Sequence, residues 1–228
     1  MRSGTLYKHG GKKSGELSVT WLVRKLKAVA YSLRWVGLVF ILIAFGGGAY
    51  IYTPLVSEEV RYYFQKPQPE SKLNTALRDL PNWQPPDNNY SLYIPKIQAK
   101  SVVIKDVNVA SEPDYLTALK QGVAEARGLS HPGENGTTYL FAHSTDSPLN
   151  YARYNAVFYL LDKVEAGDRV EVVYQNKLYK YQVEKKEILD PSDLKYLTIG
   201  QTPEQLVLQT CFPPGTTWKR LVVVAKRT

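Results

Sequence analysis

Cysteine is almost absent from this chain: Cys211 is the single one in 228 residues. One thiol excludes an internal disulfide, and without a cysteine pair there is no thiolate zinc site. Histidine is scarce too, with only His9, His131 and His143. No His-Glu-x-x-His run is present, so no metalloprotease centre is expected. Acidic residues are missing from the start of the chain. Residues 1–34 carry eight Lys and Arg against one acid, Glu16, which is +7 of the total net charge of +8. The other 194 residues hold 21 basic and 20 acidic side chains and are nearly neutral. The basic balance is therefore local, and nucleic acid is excluded as a partner.

Charge then vanishes. Trp35 to Ser57 reads WVGLVFILIAFGGGAYIYTPLVS, 23 residues without a charged side chain. About 20 apolar residues cross a bilayer as a helix. Lys and Arg are retained on the cytoplasmic side, which predicts an inner N-terminus and an outer C-terminal body. Tyr50 and Tyr52 suit the outer interface. A cleaved signal peptide competes with this reading, because VGLVFILIAF is short and is followed by the small residues GGGA. Continuation of the apolar stretch to Val56 favours a retained anchor in a single-pass cell-membrane protein. A buried core helix is the third reading, and the charge asymmetry argues against it.

The organisation that follows is a basic cytoplasmic segment (1–34), a transmembrane anchor (35–57), a stalk (58–89) and a β-rich domain (90–228). The stalk carries Pro67, Pro69, Pro81, Pro85 and Pro86, with helical patches expected at SEEVRYYFQK and SKLNTALRDL. From Tyr90 onward, short β-runs alternate with turn signals: SLYIP, SVVIKDV, TTYLFAH, DRVEVVY, KLYKYQVEKKEIL, QLVLQT and RLVVVA. Gln175-Asn176 reads as a hairpin turn. PDYLTALKQGV places Leu116, Leu119 and Val123 at helical spacing with Asp114 as its cap. NAVFYLLDKV is a second, shorter helix candidate. The expected fold is mainly β, a small closed or nearly closed β-barrel of seven or eight strands with one or two short helices.

Two strand ends and one strand start deliver side chains with chemistry. His143 ends TYLFAH, Cys211 follows QLVLQT, and Arg220 opens RLVVVA nine residues later. An ordinary thiol needs a nearby base or positive charge to become a thiolate. Imidazole supplies that base and then a proton for a leaving amine. A fixed guanidinium holds a carbonyl and its oxyanion. Together they describe acyl transfer through a thioester. The bland readings are a buried inert Cys, an edge His and a surface Arg. Phe-Pro-Pro-Gly after Cys211 sets it at a loop mouth and favours the functional one. His131, in LSHPGENG, is read as a loop histidine with a lesser claim to touch substrate. Glu187, Asp190, Asp193 and Glu204 give a faint calcium signal, against which solvated loop charge is the stronger reading. No cofactor and no metal site are otherwise expected.

LVLQTC followed nine residues later by Arg resembles the signature of sortases, the cysteine transpeptidases of bacterial cell surfaces. LYIPKIQAKSVVI, ALKQGVAEARGLSHPGENGTTYLFAHS and FYLLDKVEAGDRVEVVY are similar to further family segments in the family's order, over about residues 90–227. The resemblance implies an eight-stranded sortase-type β-barrel behind the N-terminal transmembrane helix. It implies Cys211 as nucleophile, His143 as proton donor to the leaving amine and Arg220 as the holder of substrate and oxyanion. Thr210 and Ala142, beside Cys211 and His143, are then the expected substrate contacts. The implied partners are surface proteins with an LPxTG-like C-terminal sorting signal and an amine acceptor from a peptidoglycan precursor or a pilin. Ala142 stands where the family often has Gly, and Val207 replaces the usual Thr of the Cys motif. Absence of a second hydrophobic span before Thr228 favours anchoring or housekeeping over pilus assembly. A non-catalytic sortase-like binding module and a cysteine protease using water are the alternatives.

Overall fold

The computed structural model describes residues 16–64, 81–144, 156–197 and 202–228. Two compact units are present, Met1–Tyr50 and Ile51–Thr228. The described residues of the first all belong to helix α1, which runs over Glu16–Phe64. Within α1, Trp21–Tyr50 forms 30 residues long and apolar enough to cross a membrane, and it is the one such helix among the described residues. Leu38, Val39, Phe40, Ile41, Leu42 and Ile43 are all exposed. A helix apolar on every side suits lipid rather than a core. Residues 58–64 of the expected stalk continue α1, while the second patch, SKLNTALRDL, lies outside the described residues.

The second unit is a closed eight-stranded barrel. Its strands are β1 (Tyr90–Ile94), β2 (Ala99–Val107), β3 (Val123–Ala126), β4 (Thr137–Phe141), β5 (Arg169–Tyr174), β6 (Lys177–Leu189), β7 (Gln205–Phe212) and β8 (Lys219–Arg227). They close in the order β1-β2-β3-β4-β7-β8-β6-β5. Closure leaves no open sheet edge. β2–β3 and β4–β7 pair in parallel and the other neighbours antiparallel. The β5–β6 hairpin turns at Gln175 and Asn176, with φ of 50° and 62°. Two left-handed residues in a row are what a tight type I′ turn requires.

Helix α2 (Glu112–Gln121) links β2 to β3. It begins earlier than the sequence suggests: Ser111 holds the cap position, and Asp114 lies inside the first turn. Pro113, whose φ is already helical, fits that first turn and lets the helix start before Asp114. It also ends earlier. Val123, expected on the helix, opens β3 instead. A Cβ on Gly122 would stand 2.5 Å from the Val102 carbonyl oxygen, so only glycine lets the chain approach β2 closely enough to start the parallel pair. The second expected helix is reduced to a 3₁₀ turn at Leu161–Lys163. Its earlier part is drawn elsewhere, because the Phe158 amide donates to the His143 carbonyl at 3.3 Å.

Strand side chains alternate between two faces, and the two faces have different fates. The interior holds the main core, including Leu92, Ile94, Leu140, Leu208, Val223 and Ala225. On the outside of β4, β7 and β8 lies a second apolar patch of Tyr139, Val207, Val222 and Val224. Leu189, Tyr196 and Leu197, from the end of β6 and the connection after it, pack on this patch. The outer face is thus half-covered, and its uncovered margin carries the polar side chains considered next.

Candidate active site

Register across β4, β7 and β8 builds the outer face in rows. Tyr139 stands beside Val207, and Val207 beside Val224. Two residues further, Phe141 stands beside Gln209, and Gln209 beside Val222. Another two residues bring Cys211 beside Arg220. On the β4 side the ladder runs past the last strand residue, since the Ala142 amide donates to the Gln209 carbonyl at 3.1 Å. That bond sets Ala142 opposite Thr210 and His143 opposite Cys211 along the parallel pair. His143, Cys211 and Arg220 therefore occupy one row on one face, each half-buried. Spacing of two along every strand, with matched register, is what brings them together.

Arg220 Nη1 lies 3.6 Å from Cys211 Sγ and also donates to the carbonyls of Thr217 (3.1 Å) and Lys219 (3.2 Å). Those carbonyls hold the guanidinium beside the sulfur. A cation at this distance favours the thiolate over the thiol. The backbone of His143 is fixed from the other side by the Phe158 amide. Beneath this row Tyr139 donates its hydroxyl to Gln209 Oε1 at 2.8 Å. Burial raises the Tyr139 phenol well above its ordinary range, while Arg220 pulls it back only in part. Tyr139 accordingly stays a neutral donor, and Gln209 is oriented by it.

Thr210 and Ala142 face the other way. Both are buried, and Thr210 Oγ1 donates to the Ala142 carbonyl at 2.9 Å. The two-residue period turns them to the interior when Cys211 and His143 face out, so they clamp β7 to the end of β4 where substrate contact was expected. His131 is not near this row. It belongs to the β3–β4 connection at the opposite end of the barrel, where its Nδ1 lies 3.1 Å from Glu125 Oε1. From Thr137 to His143 the extended chain covers about 20 Å.

The four carboxylates with a faint calcium pattern each have other partners. Glu187 pairs with Lys185 (2.8 Å) and Lys195, and these bonds lower its carboxyl to about 2. Asp190 pairs with Lys219 at 2.6 Å, and Asp193 accepts from the Lys195 amide. Glu204 accepts from the Tyr181 hydroxyl at 2.6 Å and the Gly133 amide at 2.9 Å. The Glu187–Lys195 pair ties the β6–β7 connection to the strand beside the apolar outer patch. In the connections nearest the row, 144–157 and 185–205, residues 145–155 and 198–201 lie outside the described residues. Tyr139 and Gln209 were not singled out from sequence. Their signal was present as positions four before His143 and two before Cys211.

Residues 92–228 match the family described as the sortase domain. The chain is 25% identical over 199 residues to Sortase D of Bacillus subtilis (strain 168), covering 82% of this chain and 92% of that protein. Among solved structures it resembles Sortase C1 of GBS Pilus Island 1, with 28% identity, a TM-score of 0.51, and coverage of 61% of this chain and 63% of that one. It resembles Sortase A from Corynebacterium diphtheriae similarly, at 26% identity and a TM-score of 0.51, over 61% of this chain and 60% of that one. The match thus spans less than two thirds of either solved chain.

Proposed function

The chain belongs to the sortase family, the cysteine transpeptidases of bacterial cell surfaces, and on that premise we propose that it cleaves an LPxTG-like sorting signal and passes the acyl group to an amine. Cys211 gives its proton to His143, and its sulfur attacks the carbonyl carbon of the Thr, in the peptide bond that follows it. The carbonyl electrons move to oxygen, where the Arg220 guanidinium meets the developing charge. As the C–N bond breaks, His143 returns the proton to the leaving amine, and an acyl thioester remains on Cys211. An amine from a peptidoglycan precursor or a pilin then attacks, loses a proton to His143, and displaces the sulfur. Every step is carried by a side chain of this protein, and the reading calls for no cofactor or metal.

The observation that supports this reading is the row itself: thiol, imidazole and guanidinium positions in register on one outward face, with Arg220 3.6 Å from Cys211. The apolar patch continuing along that face suits an extended, largely apolar peptide lying beside Cys211. Helix α1 fits a single-pass anchor with the basic N-terminal segment in the cytoplasm and the barrel outside.

The test uses the full chain in detergent, an LPxTG-type peptide library, and glycine peptides as amine acceptors, followed by mass. The expected result is a peptide acyl adduct on Cys211 that passes to the amine, and no adduct with Cys211→Ala. Water-only products would indicate a protease. Turnover by Cys211→Ala would end the proposal.

A further inference from the structure

At the end of the barrel away from Cys211, where β1 begins and β2, β3 and β5 finish, a polar group is buried inside the wall. Glu125, on β3, is only 1% exposed. Its Oε1 accepts from the Tyr90 hydroxyl at 2.6 Å and lies 3.1 Å from His131 Nδ1. Its Oε2 is buried and has no hydrogen-bond partner. A buried carboxylate oxygen without a donor is costly, and every other strand of this end supplies something close by. Asp106, near the end of β2, has φ of 58°, and a carboxylate oxygen of Asp106 joins Glu125 and His131 in a group whose ligand atoms all lie within 4.8 Å of one another. The His131 ring stacks on Tyr174 at 5.6 Å, which fixes its plane.

We propose that Asp106, Glu125 and His131 form a binding site for one divalent transition-metal ion, of the zinc or manganese type. An ion with ligands at about 2.1 Å needs donor atoms about 3–3.5 Å apart, a modest contraction of the spacing present. It would bond the bare Glu125 oxygen directly and balance two carboxylates with two positive charges. One imidazole nitrogen with two carboxylates favours zinc or manganese over calcium, which prefers oxygen ligands throughout. Tyr90, bonded to the ligating carboxylate, and Tyr174, stacked on the ligating imidazole, would orient the two. Lys105 is the opposing group. Its Nζ donates to the Tyr174 hydroxyl at 2.8 Å, and its charge is felt at both Asp106 and Glu125. The site joins β2, β3 and the β3–β4 connection, and it is separate from the transpeptidase reading, which it neither uses nor requires.

The test is equilibrium dialysis and calorimetry of the chelator-stripped full chain in detergent with Zn²⁺, Mn²⁺ and Ca²⁺. The background is Cys211→Ala, so that a thiolate cannot bind the added metal. One equivalent of Zn²⁺ or Mn²⁺ is expected, with a raised thermal midpoint. Glu125→Gln and His131→Gln should each weaken binding at least a hundredfold. Asp106→Asn, at an exposed position, should weaken it about tenfold while leaving the metal-free midpoint unchanged. That third variant keeps the test open if Glu125→Gln does not fold. Lys105→Met should tighten binding. Absence of stoichiometric binding, binding that all three ligand substitutions leave unchanged, or a preference for Ca²⁺ would each overturn the proposal.

Discussion

Thr210→Val separates positioning from packing. Thr210 is 2% exposed, and its hydroxyl donates to the Ala142 carbonyl at 2.9 Å. Valine has nearly the same shape, so the substitution removes one buried hydrogen bond and opens almost no cavity. Leaving a buried acceptor without that donor costs about 1–3 kcal/mol, and the added methyl offsets part of it. A net loss of about 1–2 kcal/mol is expected, which is about 3–8 °C in the thermal midpoint of a domain this size. Thr210→Ser is the control. It keeps the donor and deletes a buried methyl, at a cost of about 1 kcal/mol, so its midpoint falls by a similar amount. The two differ in turnover. The clamp holds the β4 end carrying His143 against the β7 residue preceding Cys211, and a shift of about 1 Å in reacting groups costs up to about 100-fold. In the peptide transfer assay, kcat should fall about 10- to 100-fold for Thr210→Val with KM little changed, and less than about threefold for Thr210→Ser. Equal kcat in the two variants, with equal midpoints, would refute the positioning role.

Arg220→Lys keeps the charge but loses the planar guanidinium whose Nη1 reaches Cys211 and two carbonyls. A fall in kcat of about 100- to 1,000-fold with little change in midpoint is expected from steady-state kinetics and a melt. Glu187 supplies an acid-sensitive contact. Its carboxyl is lowered to about 2 by bonds from Lys185 and then Lys195, so its contribution is complete above the ordinary carboxylate value. The contribution is lost as pH falls toward 2. Because the site is largely solvated, the effect is at most about 1 kcal/mol. The midpoints of wild type and Glu187→Gln should differ at pH 7 and converge near pH 2; a constant gap would contradict the assignment.

Most of the barrel is readable from alternation and turn chemistry, as KLYKYQVEKKEIL shows: it is β6 from first residue to last. β3 is the exception. Four residues, VAEA, carry too short a pattern to compete with the helical spacing upstream, and the close approach at Gly122 that separates them is tertiary. The row of His143, Cys211 and Arg220 is legible as three strand-end residues, but its sidedness depends on the parallel β4–β7 register between segments 68 residues apart. The same limit hid the inward turn of Thr210 and Ala142. A carboxylate in the apolar run VAEA was a visible oddity, yet only the folded chain shows Tyr90 and His131 converging on it.

That 68-residue separation also has a kinetic meaning. β7 is flanked by β4 on one side and β8 on the other, so its pairing is complete only once the chain through Lys226 is available. Long-range parallel pairing pays its loop-closure entropy before its contacts return any stability, and such topologies fold in about milliseconds to seconds. Until then the thiol lacks its imidazole neighbour, because only Arg220 reaches it through the local β7–β8 pairing. On the proposed reading, reactivity thus waits for β4 to dock beside β7, and a nascent or partly unfolded molecule should be chemically quiet toward the amines and carbonyls around it.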